Sequence, residues 1–161
     1  MKIPKLARNI PEKIEDEMTE YPTIASSKMP VTEAIELMKK HDIRHLPVIE
    51  KGIVIGIISD RDLRQAELLS DAMTMVVSDV MTAYPYCVQV GTPLSEVAYE
   101  MAKHKYGCVV ILNRISRVVG IFTTTDGMRV LSEILNNGVG PDLKMMAVEE
   151  LLSAPIRAAW A

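Results

Sequence analysis

Residues 18–50 read MTEYPTIASSKMPVTEAIELMKKHDIRHLPVIE, and residues 81–113 repeat the pattern as MTAYPYCVQVGTPLSEVAYEMAKHKYGCVVILN. A shift of 63 positions brings identical residues together; in the first copy they are Met18, Thr19, Tyr21, Pro22, Pro30, Glu33, Met38, Lys40 and His41. One inserted residue near Ser116 extends the match, so that Gly56 meets Gly120 and Asp62 meets Asp126. The chain is therefore an internal duplication, and we expect only the pair of copies to close a core.

Each copy predicts the same series of elements. A short extended segment, PTIAS or PYCVQV, precedes a proline-started amphipathic helix, and Thr92 is the expected N-cap of the second of these helices. Two apolar β-rich runs follow, HLPVIE with IVIGIIS and then CVVILN with RVVGIFT. A further helix runs from Asp60 toward Leu69 and from Asp126 toward Leu135. The order β-α-β-β-α, present twice, predicts an α/β (α+β) fold of small sheets covered by helices.

The composition is that of a globular protein with an aliphatic core. Of the 161 residues, 48% are hydrophobic and only 4% aromatic, and the net charge of -3 offers no continuous field for nucleic acid. Neither a signal peptide nor an apolar run of membrane-spanning length is present, which predicts a soluble, cytoplasmic protein without a membrane partner. Cys87 and Cys108 lack disulfide or metal-site spacing, so we expect reduced thiols and no metal.

The duplication also suggests domain boundaries. We expect an N-terminal arm over residues 1–17, a first repeat over 18–70, a linker over 71–78, a second repeat over 79–135 and a tail over 136–161. The tail predicts one more amphipathic helix, whose apolar face would need a partner surface within the chain or on another subunit.

Two matching motifs, GIISDRD and GIFTTTD, stand where a strand passes into a helix. Ser59 with Asp62, and Thr123 with Asp126, have the spacing of a capping box, in which hydroxyl and carboxylate satisfy the N–H groups at a helix start. The same position suits a ligand, because an upstream glycine permits close approach and a carboxylate can accept hydrogen bonds from a ribose diol. Both interpretations remain open at this point.

Together these features resemble a tandem pair of cystathionine-β-synthase (CBS) domains over about residues 18–135. The resemblance implies a pseudo-twofold pair of repeats with two clefts between them, which bind adenosyl compounds such as AMP, ADP, ATP or S-adenosylmethionine. It also implies a disk-like homodimer and a regulatory role such as energy sensing.

Carried onto this chain, the resemblance assigns ligand-binding residues to two clefts. The cleft of Asp62 would contain Ser59, Thr23, Ile24, Pro47 and Ile57. The cleft of Asp126 would contain Thr123, Thr125, Tyr86, Cys87 and Ile121, and would be served by Arg44 and His45 of the first repeat. Because GCVV replaces RHLP in the second repeat, we expect less positive charge at Asp62, unless Arg61, Lys105 or Arg129 substitutes, and hence a preference of phosphate-bearing ligands for the Asp126 cleft.

No catalytic set is recognisable. The chain lacks a nucleophile elbow, a P-loop and a dinucleotide fingerprint, so we expect no enzymatic activity and no required cofactor. The leading expectation is a stand-alone regulatory module that binds an adenosyl ligand and signals to a protein partner. A ligand-independent dimerisation scaffold, whose clefts are remnants, is the alternative.

Overall fold

The structure is a computed structural model that describes residues 11–69 and 74–138. Residues 11–127 form one compact unit that contains the first repeat and the second up to the start of its last helix. Residues 128–138, which belong to a second unit, continue the last helix, where Arg129 pairs with Glu133 at 3.1 Å. The amphipathic helix predicted for the tail, most of the predicted arm and part of the predicted linker lie outside the described residues.

Each repeat has the predicted β-α-β-β-α order, preceded by one additional short strand. A single 3-10 turn at Ile14–Asp16 leads into the first repeat, whose elements are β1 Thr19–Glu20, β2 Ala25–Ser26, α1 Val31–His41, β3 His45–Glu50, β4 Ile53–Ser59 and α2 Asp60–Ala66. The second comprises α3 Val77–Val80, β5 Thr82–Ala83, β6 Cys87–Gln89, α4 Leu94–His104, β7 Cys108–Leu112, β8 Val118–Thr123 and α5 Thr124–Gly138. Helix α2 ends earlier than predicted and α5 begins two residues earlier, while β1, β5 and the short helix α3, which begins within the predicted linker, are new.

The two repeats exchange their first strands. The first sheet has the order β2-β3-β4-β5 and the second the order β1-β8-β7-β6. Strand β5 of the second repeat pairs antiparallel with β4, Thr82 facing Ile57, while β1 of the first repeat pairs with β8, Thr19 facing Ile121. Each sheet is therefore completed by a strand from the other repeat.

Gly56 and Gly120 lie in β4 and β8, directly beside the exchanged strands. A Cβ atom at Gly56 would overlap the side chain of Met81, and one at Gly120 would overlap that of Met18. The sequence suggested that these glycines would let a ligand approach. In the structure each of them instead makes room for the methionine that precedes an exchanged strand.

Apolar residues from helices and strands fill the space beneath each sheet, as their spacing predicts. Around the first sheet the buried set comprises Ala25, Val31, Ala34, Met38, Leu46, Val48, Ile58, Leu63 and Ala66 of the first repeat with Val77 of α3 in the second. In the second repeat Val97 and Met101 of α4 are buried. No helix of residues 11–69 or 74–138 is long and apolar enough to cross a membrane.

The last residues of the predicted arm pack onto the second repeat. Ile14 is fully buried and its N–H group donates to the Thr92 carbonyl at 3.0 Å, while the Leu94 N–H group donates to the Glu12 carbonyl at 3.0 Å. The prediction that Thr92 caps α4 is therefore wrong: its hydroxyl donates to the Gln89 carbonyl, and the arm supplies an acceptor at the helix start.

Candidate functional site

Both serine/threonine–aspartate pairs form the capping box that their spacing predicts. The Ser59 hydroxyl donates to Asp62 Oδ2 at 2.6 Å, and the Ser59 N–H group donates to the same oxygen at 2.8 Å. In the second repeat Thr123 makes the same two bonds to Asp126 Oδ2, at 2.7 and 2.8 Å. The boxes hold both carboxylates in one orientation at the junction of strand and helix.

Each carboxylate uses only one of its oxygens in this way. Within the described residues, Oδ1 of Asp62 and Oδ1 of Asp126 accept no hydrogen bond. An ionised carboxylate can accept about four hydrogen bonds. Capping a helix and binding a ligand are therefore compatible functions of the same aspartate.

A cavity of about 1070 Å³ opens beside Ser59 and Asp62. We call it the Asp62 cavity. Both repeats line it: the first contributes Arg44, His45, Ile57, Ser59, Asp60, Arg61 and Asp62, and the second contributes Tyr84, Pro85, Tyr86, Cys87, Lys105, Tyr106, Gly107, Cys108 and Thr124 among others.

This lining corrects the expected assignment of apolar residues to clefts. Tyr86 and Cys87 line the cavity of Asp62, not a cleft of Asp126. The cause is the strand exchange, because β5 pairs with β4 in the first sheet and β6, which begins at Cys87, pairs with β7 in the second, so the chain between them crosses from one sheet to the other. By the same pairing of β1 with β8, Thr23 and Ile24 follow a strand of the second sheet.

The Asp62 cavity contains more positive charge than the replacement of RHLP by GCVV suggested. Arg44 and His45 line the Asp62 cavity, as do Arg61 and Lys105, so this cavity is rich in basic groups. Of the two carboxylates there, Asp60 is already paired with Arg64 at 2.8 Å. Arg44 also donates to the Thr125 hydroxyl, next to Asp126, so the preference of phosphate-bearing ligands for one cleft over the other stays a prediction.

The remaining predicted residues do not line this cavity. Pro47 is buried in β3 opposite Ile57, and Ile121 is buried in β8. Thr123 and Asp126 form the second capping box, while the Thr125 hydroxyl accepts a hydrogen bond from Arg44 at 2.7 Å.

Aromatic side chains form one wall of the cavity, and the sequence prediction missed two of them, Tyr84 and Tyr106. The rings of Tyr86 and Tyr106 are stacked at 5.2 Å, and the His104 ring stacks on Tyr106 at 5.3 Å. His104 Nε2 in turn lies 3.1 Å from a Glu100 carboxylate oxygen. Since Thr23 and Ile43 stand at the equivalents of Tyr86 and Tyr106, the first repeat has no such stack.

Tyr84 is 95% exposed although it lines the cavity, and its backbone is left-handed with φ 54°. A bulky residue rarely adopts this conformation. A tyrosine followed by proline at a chain reversal could have drawn attention to it, but only the strand exchange connects it with Asp62.

His45 occupies space that the second repeat leaves free. A Cβ atom at Gly107, the counterpart of Arg44, would lie 3.1 Å from His45 Nε2. Burial lowers the pKa of His45 below 6.5 and the Arg44 guanidinium lowers it further, while Asp62 and Asp60 act in the opposite direction. The imidazole is therefore disposed to be neutral at physiological pH.

The two cysteines are free thiols that also line the Asp62 cavity. Burial raises the pKa of Cys108 to about 12, with Cys87 contributing, and burial also raises the pKa of Cys87. Both thiols stay protonated, which disfavours nucleophilic chemistry. Nowhere in residues 11–69 and 74–138 do three or more metal-ligating side chains gather.

Comparison with known families gives two matches within the chain. The CBS domain matches residues 12–69 and again residues 77–133. The chain belongs to the CBS domain family. The two CBS domains coincide with the two copies of the duplication, and the Asp62 cavity is lined by residues of both.

Individual relatives cover the CBS pair to different extents. The CBS domain-containing protein YhcV of Bacillus subtilis is 29% identical over 132 residues, which is 81% of this chain and 91% of YhcV. L-aspartate semialdehyde sulfurtransferase of Methanocaldococcus jannaschii is 32% identical over 118 residues, 73% of this chain. The match spans only 23% of that enzyme, so the CBS pair is a minor part of it.

Crystal structures of other CBS pairs have the same fold. CBSX2 of Arabidopsis thaliana, in complex with AMP, is 26% identical with a TM-score of 0.68, covering 77% of this chain and 98% of CBSX2. The CBS domain pair of protein MJ0100, in complex with 5′-methylthioadenosine and S-adenosyl-L-methionine, is 29% identical with a TM-score of 0.67. That match covers 74% of this chain and 98% of the other.

Proposed function

We propose that this protein is a regulatory CBS module that binds an adenine nucleotide in the Asp62 cavity and signals its presence to a protein partner. One observation carries the proposal. The cavity brings together an aspartate with a free carboxylate oxygen, a group of cationic side chains and a wall of tyrosines, supplied by both repeats.

Each part of such a ligand has a matching group in the cavity. Ribose hydroxyls would donate to Asp62 Oδ1, which the capping box leaves free. The base would stack against Tyr86, whose ring is backed by Tyr106. Phosphate oxygens would accept hydrogen bonds from Arg44 and Lys105.

The charge of the lining favours one class of adenosyl ligand over another. Arg44, Arg61 and Lys105 would attract the phosphates of AMP, ADP or ATP and repel the sulfonium of S-adenosylmethionine. We therefore propose the order opposite to that expected from the sequence, with phosphate-bearing ligands preferring the Asp62 cavity. CBSX2, the relative in complex with AMP, is consistent with such a ligand.

Signalling would follow from the composite lining. A nucleotide that contacts Asp62 and Arg44 of one repeat and Tyr86 and Lys105 of the other favours the arrangement in which those groups converge. The ligand shifts the arrangement of the repeats only by its difference in affinity between the two states. The partner would recognise the resulting change of surface.

Titration calorimetry with AMP, ADP, ATP and S-adenosylmethionine tests the proposal on wild type, Asp62→Asn and Asp126→Asn. Asparagine keeps an acceptor oxygen for the cap but loses the charge, which makes the two variants matched controls. A charged hydrogen bond contributes about 1.5–3 kcal/mol, so we expect AMP affinity to fall roughly 10- to 100-fold in Asp62→Asn and little in Asp126→Asn. Absence of saturable AMP, ADP or ATP binding, or its loss only in Asp126→Asn, would contradict the proposal.

A ligand-independent homodimeric scaffold is the second candidate. It is favoured by the capping boxes, which give both aspartates a structural role without any ligand. Analytical ultracentrifugation with and without AMP separates the two functions. A scaffold would give the same dimer and the same partner affinity in both conditions.

A further inference from the structure

We infer that Thr125 is a positioning residue, whose hydroxyl in the second repeat holds the Arg44 guanidinium of the first repeat in place for a phosphate group in the Asp62 cavity. This inference rests on the proposed function, since it concerns the anionic part of the proposed ligand. It assigns to Thr125 an action through Arg44, in place of the direct ligand contact expected from the sequence.

The geometry is a single hydrogen bond between the two repeats. Arg44 Nη2 donates to Thr125 Oγ1 at 2.7 Å, a short bond for two exposed side chains. Arg44 also lines the cavity, as does Thr124, the neighbour of Thr125. The bond thus holds the arginine at the border of the space that the ligand would occupy.

The bond leaves most of the guanidinium available. Arginine has five N–H donors, and within the described residues only this one donates to a protein atom. A long side chain loses rotamer freedom when it binds a ligand, and a bond that already restricts it reduces that loss. Thr125 therefore prepares the remaining donors for an anion.

The chemistry of the acceptor matters as well. Thr125 offers a neutral hydroxyl, so the positive charge of Arg44 is not compensated by this contact. Arg64 provides the contrast, because the Asp60 carboxylate lies 2.8 Å from its guanidinium and neutralises it. Arg44 is held without losing its attraction for a phosphate.

The equivalent bond from the second repeat to the first cannot form. Gly107 stands at the counterpart of Arg44 and Arg61 at the counterpart of Thr125. Glycine has no side chain to donate, and arginine has no acceptor. The contact therefore makes the two clefts unequal.

Calorimetry of Thr125→Val and Thr125→Ser with two probes, AMP and uncharged 5′-methylthioadenosine, tests the inference. A neutral hydrogen bond contributes about 0.5–1.5 kcal/mol, so we expect AMP affinity to fall roughly 3- to 10-fold in Thr125→Val. Affinity for 5′-methylthioadenosine stays unchanged, and Thr125→Ser, which retains the hydroxyl, binds AMP as wild type does. Thr32→Val is the matched control, because Thr32 is the second residue of α1 as Thr125 is of α5.

A double variant shows whether Thr125 acts through Arg44. In an Arg44→Gln background, Thr125→Val should weaken AMP binding no further. An additional loss there, or an equal loss for both probes in Thr125→Val, would overturn the inference. Saturable AMP binding with unchanged affinity in Thr125→Val overturns this inference alone, whereas absence of AMP binding in wild type overturns the proposed function with it.

Discussion

Asp62 and Asp126 show how much a single carboxylate can do at the start of a helix. Oδ2 of each closes a capping box and so contributes to stability, which for a cap is about 1 kcal/mol. Oδ1 of each has no partner among the described residues, and Asp62 lies in a cavity with several cationic side chains. One carboxylate can therefore cap a helix and still present an oxygen to a ligand.

His45 should report on this cavity through its protonation. Its pKa is lowered by burial and by Arg44, so between that lowered value and 6.5 the unfolded chain binds more protons than the folded chain. Stability is then fully present above about pH 6.5 and falls as the pH decreases through that window. We predict that His45→Gln flattens this part of the pH dependence, measured by urea unfolding between pH 5 and 8.

Arg44→Gln tests the cause of the shift. Removal of the guanidinium should raise the pKa of His45, followed by NMR titration of the imidazole. Arg117→Gln is the control, since the Arg117 guanidinium donates to the Gly52 carbonyl instead. A wild-type His45 pKa at or above 6.5 would contradict the prediction.

At the scale of elements, the exchanged strands β1 and β5 determine which residues meet. They are only two residues long, yet each completes the other repeat's sheet. Their close approach depends on Gly56 and Gly120, beside which Met81 and Met18 are packed. Glycine at these places therefore leaves room for the methionine that precedes each exchanged strand.

Gly56→Ala should destabilise the protein because the new methyl group displaces Met81. Overpacking of this kind costs about 1–3 kcal/mol, and Gly56→Ala/Met81→Ala should recover part of it. Gly127→Ala is the matched control: its Cβ atom would meet Phe122 at an ordinary 3.8 Å, and alanine favours a helix by up to about 1 kcal/mol. Urea unfolding measures the stability of all three variants. Equal unfolding midpoints for Gly56→Ala and wild type would contradict the prediction and show that the Met81 side chain moves aside without cost.

At the scale of the whole molecule, residues 11–127, which hold the first repeat and the second up to the start of α5, form one compact unit. Neither repeat contains all the strands of its own sheet, since β5 belongs to the first sheet and β1 to the second. The segment around Ile14 adds a further link, because it precedes the first repeat but is bonded to the second. We therefore expect the repeats to fold together.

Separate expression of residues 11–69 and 74–138 tests this expectation. Each fragment alone would leave an unpaired sheet edge and exposed apolar side chains, so we predict no cooperative thermal unfolding by circular dichroism. Mixing the fragments should restore a cooperative transition with 1:1 stoichiometry. A monomeric single fragment with its own sharp transition would refute the prediction.

The sequence by itself determined the duplication, the order of helices and strands, the two capping boxes and the membership of the CBS family. These features depend on local spacing, such as the recurrence of Ala34 and Met38 in α1 or the interval from Ser59 to Asp62, and local spacing is written directly in the chain. The prediction that Thr92 caps α4 was wrong because the acceptor at the start of α4 comes from Glu12, which is far away in sequence, and local spacing gives no signal of such a contact.

Only the tertiary structure decided which residues share a cavity. Arg44 and His45 lie beside Asp62 because β3 pairs with β4 within the first repeat. Tyr86 and Cys87 join them because the chain passes from β5 in the first sheet to β6 in the second, and a two-residue strand such as β5 carries no periodic signal that could predict its partner. The pairing energy of such a strand comes from the sheet it joins, not from its own sequence. The identity of the elements was therefore a local property of this chain, whereas the composition of its candidate site depended on contacts between residues far apart in sequence.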